Sequence, residues 1–306
     1  MGSQLQERLS LKSVSAMLLL VVMWGLSIPL TKLGLLTLPP LTLTALRFVI
    51  AMPLLCLCAM GRPRLPWRAL PHVAALGVVG IGVGQGAQAL GVEGTSASVG
   101  TLISATIPVF VVVFAALRLR QPVTGRQQVG LLVAFLGIAL VASGHGQETG
   151  VALEASLMGA AWMLLSALAI AVYYVWSVEL SHAYGTTTVA AWSTSCGFMA
   201  LLPLAGWEMW HAPLHLTAQA VAVAVYLGVV VTVAGLFLWL HLLRTVPARV
   251  AAGVQYLQPV VGIAAASAMF GDELGPRFAA GVVLIFSGLA LAVATRRAPE
   301  EAVPHA

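Results

Sequence analysis

Charge is scarce in this chain. Of its 306 residues only 8% are Asp, Glu, Lys or Arg and 60% are hydrophobic, against roughly 25% and 45–50% in ordinary soluble domains. Water is therefore not the solvent for most of its surface. Acids are the rarest, ten in all, and Asp272 is the single aspartate, so the aspartate pair of an intramembrane protease cannot be assembled. Cysteine is equally sparse. Cys56, Cys58 and Cys196 lie inside apolar runs without a Cys-x-x-Cys spacing, which indicates neither a disulfide framework nor a redox or zinc site. His211 and His215 stand four apart, yet zinc takes three or four ligands and the intervening Pro213 marks a loop. Enzyme motifs are missing too. "GTSAS" lacks the second glycine of a nucleophile elbow, there is no His-Glu-x-x-His, and the run "GIGVGQG" (Gly80 to Gly86) ends without Gly-Lys-Ser/Thr. That run reads as close helix packing or local bending. No enzyme, cofactor or metal is expected. The net charge of +5 does not imply nucleic acid, because the arginines are scattered and form no continuous basic face.

Long apolar runs fill the chain instead. A helix needs about 20 apolar residues to cross a hydrocarbon core roughly 30 Å thick. Ten segments qualify, near 14–36, 41–60, 69–91, 96–117, 127–143, 155–178, 187–207, 218–241, 248–270 and 276–295. The first is too long for a signal-peptide core and has no small-residue cleavage site. Prolines and glycines punctuate the connections, at Pro39-Pro40, Pro63 to Pro66, Gly144 to Thr149, Pro213, and Gly271 to Pro276. Lysine and arginine mark cytoplasmic loops. Placing both termini inside puts 12 of the 15 basic residues there, all but Lys32, Arg47 and Arg277.

The chain is also built twice. Residues 97–143 and 248–294 align without a gap at an offset of 151, with 11 identities in 47 positions that include Pro108 with Pro259, Arg126 with Arg277, Gly130 with Gly281 and Gly137 with Gly288. Five spans per unit is an odd number, so the second unit enters the membrane upside down. That accounts for Arg277 on the outer side, where the charge rule does not expect it. Repeats of this kind, with helix breakers in matching places, point to transporters. The expected fold is an all-α integral membrane protein of ten transmembrane helices. They form two inverted five-helix repeats, 14–143 and 155–295, N-in and C-in, with no soluble domain.

Certain residues carry a family resemblance. The stretch "EGTSASVGTLISATIPVFVVVFAALRL" opening the fourth span, its counterpart "VPARVAAGVQYLQPVVGIAAASAMFGDELGP" opening the ninth, and the five-plus-five pattern resemble the EamA-type drug/metabolite transporters. The resemblance covers about 280 residues. One departure is Gln121-Pro122 where the second half has Asp272-Glu273. The resemblance implies a secondary transporter for small metabolites in a bacterial inner membrane, nearest in type to amino-acid exporters, including aromatic ones.

In lipid, a mid-span polar side chain needs a partner or a wet cavity. The substrate-binding candidates are Gln85 and Gln88 on one face of the third span, Ser104 and Thr106 before Pro108, and Tyr256 and Gln258, beside Gln255, before Pro259. Aromatic candidates are Trp24, Trp162, Tyr173 and Trp239, whose faces can bury an apolar side chain or meet an amino group. Packing and hydrogen bonding between helices, at about 0.6–2 kcal/mol per contact, is the alternative role for each. A central cavity is expected among spans 1, 3, 4, 6, 8 and 9, with Gly25, Gly84, Gly86, Pro108 and Pro259 as hinges for alternating access. Lys32 and Arg47 are expected to snorkel from the ends of the first two spans. No carboxylate lies at mid-depth, and His241 near a cytoplasmic end is the deepest titratable candidate, so facilitated export is favoured over proton antiport. The cargo is expected to be an amino acid or similar metabolite without extra anionic groups, because phosphorylated cargo calls for a pocket arginine or lysine. The other partner is the bilayer. A monomer suffices.

Overall fold

A computed structural model describes residues 11–118, 125–148, 153–212, 214–246, 255, 257–272 and 274–293. Every regular element among them is helical. Seven helical stretches are long and apolar enough to cross a membrane: Leu11–Gly34, Pro40–Ala59, Leu70–Glu93, Ala97–Arg118, Leu157–Tyr184, Thr186–His211 and Ala218–Leu242. Three shorter apolar helices, Gln128–Val141, Gln258–Phe270 and Pro276–Gly288, accompany them. Helices prevail because hydrocarbon offers backbone groups no partner, so each segment must satisfy its own. Their outer faces stay apolar, with Leu18, Leu19, Val22, Leu132, Leu136 and Val283 all exposed. Trp67, Trp207 and Trp210, near helix ends, are also exposed, as an interfacial belt requires.

The first span is two helices, α1 (Leu11–Gly25) and α2 (Ser27–Gly34), and the second is α3 (Pro40–Ala59). The third holds α4 (Leu70–Gly77), a π-helical stretch (Val78–Val83) and α5 (Gly84–Gly94); the fourth is broken into α6 (Ala97–Ser104) and α7 (Ile107–Arg118). Then come α8 (Gly125–Glu148), α9 (Leu153–Tyr184) and α10 (Thr186–His211). The chain continues as α11 (Ala218–Val225), a second π-helical stretch (Tyr226–Ala234), α12 (Gly235–Thr245), α13 (Gln258–Phe270) and α14 (Pro276–Val293). The connection expected over Gly144 to Glu154 is shorter than the sequence suggested. α8 continues to Glu148 and α9 begins at Leu153, because the Gly144–His145–Gly146 punctuation is too weak to stop a helix already propagating.

Both conspicuous prolines open helices instead of kinking them. Pro108 is the second residue of α7 and Pro259 the second of α13, positions where the missing N–H had no intrahelical partner to lose. Gly271 closes α13 in the left-handed conformation, φ 68°, which an L-residue enters only at a cost.

The internal repeat is visible in the packing. Val78–Val83 and Tyr226–Ala234 are both π-helical, and both are followed by a glycine, Gly84 and Gly235, 151 residues apart. A second pair at that offset, Gly77 and Gly228, precedes or begins them, and each admits backbone from a neighbouring helix. A Cβ on Gly77 would lie 2.1 Å from the Ser193 carbonyl, and one on Gly228 2.8 Å from the Arg47 carbonyl. In α8 and α14 the repeat-related glycines meet crosswise. Gly137 abuts Gly281, Gly288 abuts Gly130, and the two helices therefore run antiparallel.

Polar side chains stitch one end of the bundle. Asp272 Oδ2 accepts from the Ser98 N–H at the start of α6, 2.9 Å, and Glu208 of α10 caps the start of α3 through Leu41 N (3.2 Å), Thr42 N (2.6 Å) and Thr42 Oγ1 (2.7 Å). A carboxylate at a helix N-terminus satisfies orphan donors and meets the positive end of the dipole. Asp272→Asn keeps an acceptor but removes the charge, so a loss of about 0.5–1 kcal/mol is expected in detergent thermal unfolding. A melting temperature equal to wild type would remove Asp272 from this role. Elsewhere, Arg118 pairs with Glu179 and stacks over Trp176.

Candidate functional site

Arg47 is the centre of the polar interior. It sits two turns into α3 on the face turned toward the bundle. Its Nε donates to Thr232 Oγ1 and its Nη1 to Gln85 Oε1, both at 2.9 Å, and its Cζ lies 5.3 Å from the Phe48 ring centroid. The expectation that Arg47 snorkels is overturned. Its side chain points at α5 and the second π-helical stretch, where two neutral acceptors hold it more firmly than a long path to the interface could. Lys32 does not lead a free existence either. Its ammonium donates to the carbonyls of Val92 (2.9 Å), Glu93 (3.0 Å) and Thr95 (2.6 Å), the negative end of α5's dipole.

The second π-helical stretch matters to this arrangement. A π turn leaves the regular i→i−4 ladder and exposes carbonyls to other donors. Thr232 Oγ1 donates to Leu227 O, five residues back, at 2.8 Å, which fixes its lone pairs toward Arg47. The neighbouring Val231 carbonyl accepts the Trp24 indole N–H at 3.0 Å. Trp24 also faces Trp239, ring centroids 6.0 Å apart, and seats its indole over Gly235, where an added Cβ would lie 2.3 Å from Nε1. Gly235→Ala is therefore expected to displace Trp24 and shift its fluorescence emission; an unchanged emission spectrum would sink this reading.

Beside Arg47 lies a narrow cleft with a cavity volume of about 10 Å³, room for roughly one water molecule. Its polar wall is Thr31 of α2, Thr44 and Arg47 of α3, and Gln85 and Gln88 of α5; Leu43, Ala89 and Leu227 complete it. Thr31 and Thr44 donate their hydroxyl protons to their own helices, to Ser27 O at 2.7 Å and Pro40 O at 2.8 Å. Into the cleft they offer lone pairs, and the glutamine amides offer either role.

Of the residues read from sequence, Gln85 and Gln88 line this cleft, and Trp24 and Trp239 stack next to the helix segment that holds Arg47's partner. The others lie elsewhere. Tyr173 bonds Ser193 Oγ at 3.0 Å and lays its ring on Gly80. Thr106 donates to Ile103 O at 2.6 Å, Ser104 ends α6, and Trp162 is 37% exposed. Gln258 starts α13 with its carbonyl against Gly25. Gly86 meets Leu41 and Leu201 at ordinary contact distance, and Gly84 opens α5 just after the first π-helical stretch. Tyr256 lies outside the described residues. The cleft thus borders spans 1, 2, 3 and 8, whereas the sequence pointed to spans 1, 3, 4, 6, 8 and 9. What sequence reasoning missed was Arg47, with Thr31, Thr44 and Thr232. The available signal was that Arg47 stands inside an apolar run instead of at its edge.

A duplicated bundle of apolar helices around an internal polar site defines a multi-pass membrane protein. Residues 11–143 and 157–294 each match the EamA-like transporter family, and the chain belongs to that family; it is a transporter, not an enzyme. A probable terminal-alkyne amino-acid exporter of Streptantibioticus cattleyicolor is 30% identical over 290 residues, 92% of this chain and 93% of its own length. An uncharacterized transporter of Archaeoglobus fulgidus is 27% identical, spanning 91% and 97% of the two chains. A probable amino-acid metabolite efflux pump of Escherichia coli is 28% identical over 89% and 91%. One solved crystal structure superposes with a TM-score of 0.62 at 18% identity, covering 92% of this chain and 96% of its own, a likeness of fold.

Proposed function

We propose that this transporter exports small metabolites, foremost amino acids with apolar or aromatic side chains, from a bacterial cytoplasm across the inner membrane. Ten helices in two inverted five-helix repeats, with both termini inside, exchange packing so that the site opens to either face in turn. The observation that carries this reading is the polar cleft within an otherwise apolar, duplicated bundle. Its glutamines and threonines match the hydrogen-bonding groups of an amino acid, and Leu43, Ala89 and Leu227 supply its apolar wall. The names of the Streptantibioticus and Escherichia relatives support the cargo. Among the described residues no carboxylate lines the cleft, which supports facilitated export over proton antiport.

The test is counterflow in proteoliposomes with a panel of labelled amino acids. Saturable exchange that an imposed pH gradient leaves unchanged is expected. Gradient-driven accumulation would establish proton antiport instead, and absence of exchange with every amino acid would overturn the cargo. In protein that still folds, Gln85→Ala is expected to lower flux about tenfold or more, since it removes both a cleft group and Arg47's acceptor. Unchanged flux would take Gln85 out of the site.

A further inference from the structure

Resting on the amino-acid reading above, we infer that Arg47 is the carboxylate-binding residue of the transport site, the group that makes a free carboxylate a requirement of the cargo. A guanidinium carries a full charge and five N–H donors in a planar fork. Two of those donors are used, and both acceptors, Gln85 Oε1 and Thr232 Oγ1, are neutral. No aspartate or glutamate among the described residues forms an ion pair with Arg47, whose two hydrogen-bond partners are neutral. A half-buried charge held this way costs free energy and marks function by default in a membrane interior. The cleft opens on this guanidinium. When the site opens during transport, a carboxylate admitted to it meets a guanidinium suited to bidentate pairing, with the amides of Gln85 and Gln88 on the same wall. The Thr31 and Thr44 hydroxyl lone pairs face the same space and suit an ammonium group, so the two charged ends of a zwitterion find opposite partners within one cleft.

The sequence reading reserved a pocket cation for phosphorylated cargo; here one arginine serves the single carboxylate of an amino acid. One arginine answers one carboxylate, which suits amino acids and simple monocarboxylates and disfavours decarboxylated amines.

Ligand-induced thermal stabilisation of the full-length protein in detergent tests the assignment. The probes are L-phenylalanine and L-leucine, their amides, the decarboxylated amines phenethylamine and isoamylamine, and the amine-free acids 3-phenylpropionate and 4-methylpentanoate. Wild type is expected to bind the amino acids at least tenfold more tightly than the amides and amines. Arg47→Gln is expected to abolish that preference by weakening carboxylate binding alone. Should R47Q not fold, R47K keeps the charge without the fork and is expected to lose about tenfold for carboxylates with amine binding unchanged. Binding of amine-free acids without any amino acid would sustain the carboxylate site while defeating the amino-acid cargo. Equal affinity for acid and amide in wild type, or wild-type carboxylate affinity in folded R47Q or R47K, would overturn the assignment.

Discussion

Gly77→Leu should leave no folded protein to recover, and Gly77→Ala should already lower the unfolding temperature sharply. A Cβ at this position lies 2.1 Å from the Ser193 carbonyl oxygen and 2.8–2.9 Å from that residue's carbonyl carbon and Cα. All three are backbone atoms of α10, so no side chain can rotate out of the way and two helices must separate. Overpacking costs about 1–3 kcal/mol even where side chains can adjust; with rigid backbone on both sides the effect lies at or beyond the top of that range. Gly206→Ala is the matched control, because nothing lies within 4 Å of its Cβ position, and there the gain in helix propensity of up to about 1 kcal/mol is expected. Size-exclusion profiles and thermal unfolding in detergent read both. A normal profile for Gly77→Leu would mean that the α4–α10 contact is not as close as described.

Glu208→Ala is the second large effect. Its carboxylate accepts from three donors at the start of α3, and removing it strands two backbone N–H groups at the head of the helix that carries Arg47. Hydrogen bonds to a charged group are worth about 1.5–3 kcal/mol, and losing a cap about 1 kcal/mol. A destabilisation of about 2–3 kcal/mol is expected for alanine and about half of it for Glu208→Gln, which keeps an acceptor. The cap also sets where α3 begins, so transport should fall with stability. Equal melting temperatures for the two variants would show that the carboxylate's charge and geometry contribute nothing beyond a polar presence.

What the sequence made legible follows from which forces act locally. The apolar runs and their punctuation predicted most helix positions within a few residues, because hydrophobicity and Pro/Gly breaks are written in consecutive residues. Matching of Pro108 with Pro259, and of the glycines that later prove to touch across α8 and α14, was readable because duplication preserves spacing. Arg47 was not readable. A lone arginine in an apolar run looks the same whether it reaches for the interface or turns inward, and the choice is made by Gln85 and Thr232, 38 and 185 residues away. Trp162 and Tyr173 lie away from the cleft for a similar reason. Their depth was inferable but the face they occupy was not, and α9 turns Trp162 outward while it sets Tyr173 against Gly80. The π-helical stretches had no composition of their own beyond nearby glycine.

Those two stretches carry information about descent. The residues in register, "VVGIGV" from Val78 and "VVVTVA" from Val229, share only their first two letters, so local sequence did not dictate the same irregularity twice. A widened turn retained at one register while its side chains drifted apart is a backbone trait older than the duplication. The side chains set the two copies apart: one turn packs Gly80 against a tyrosine ring, and the other carries the threonine that holds an arginine.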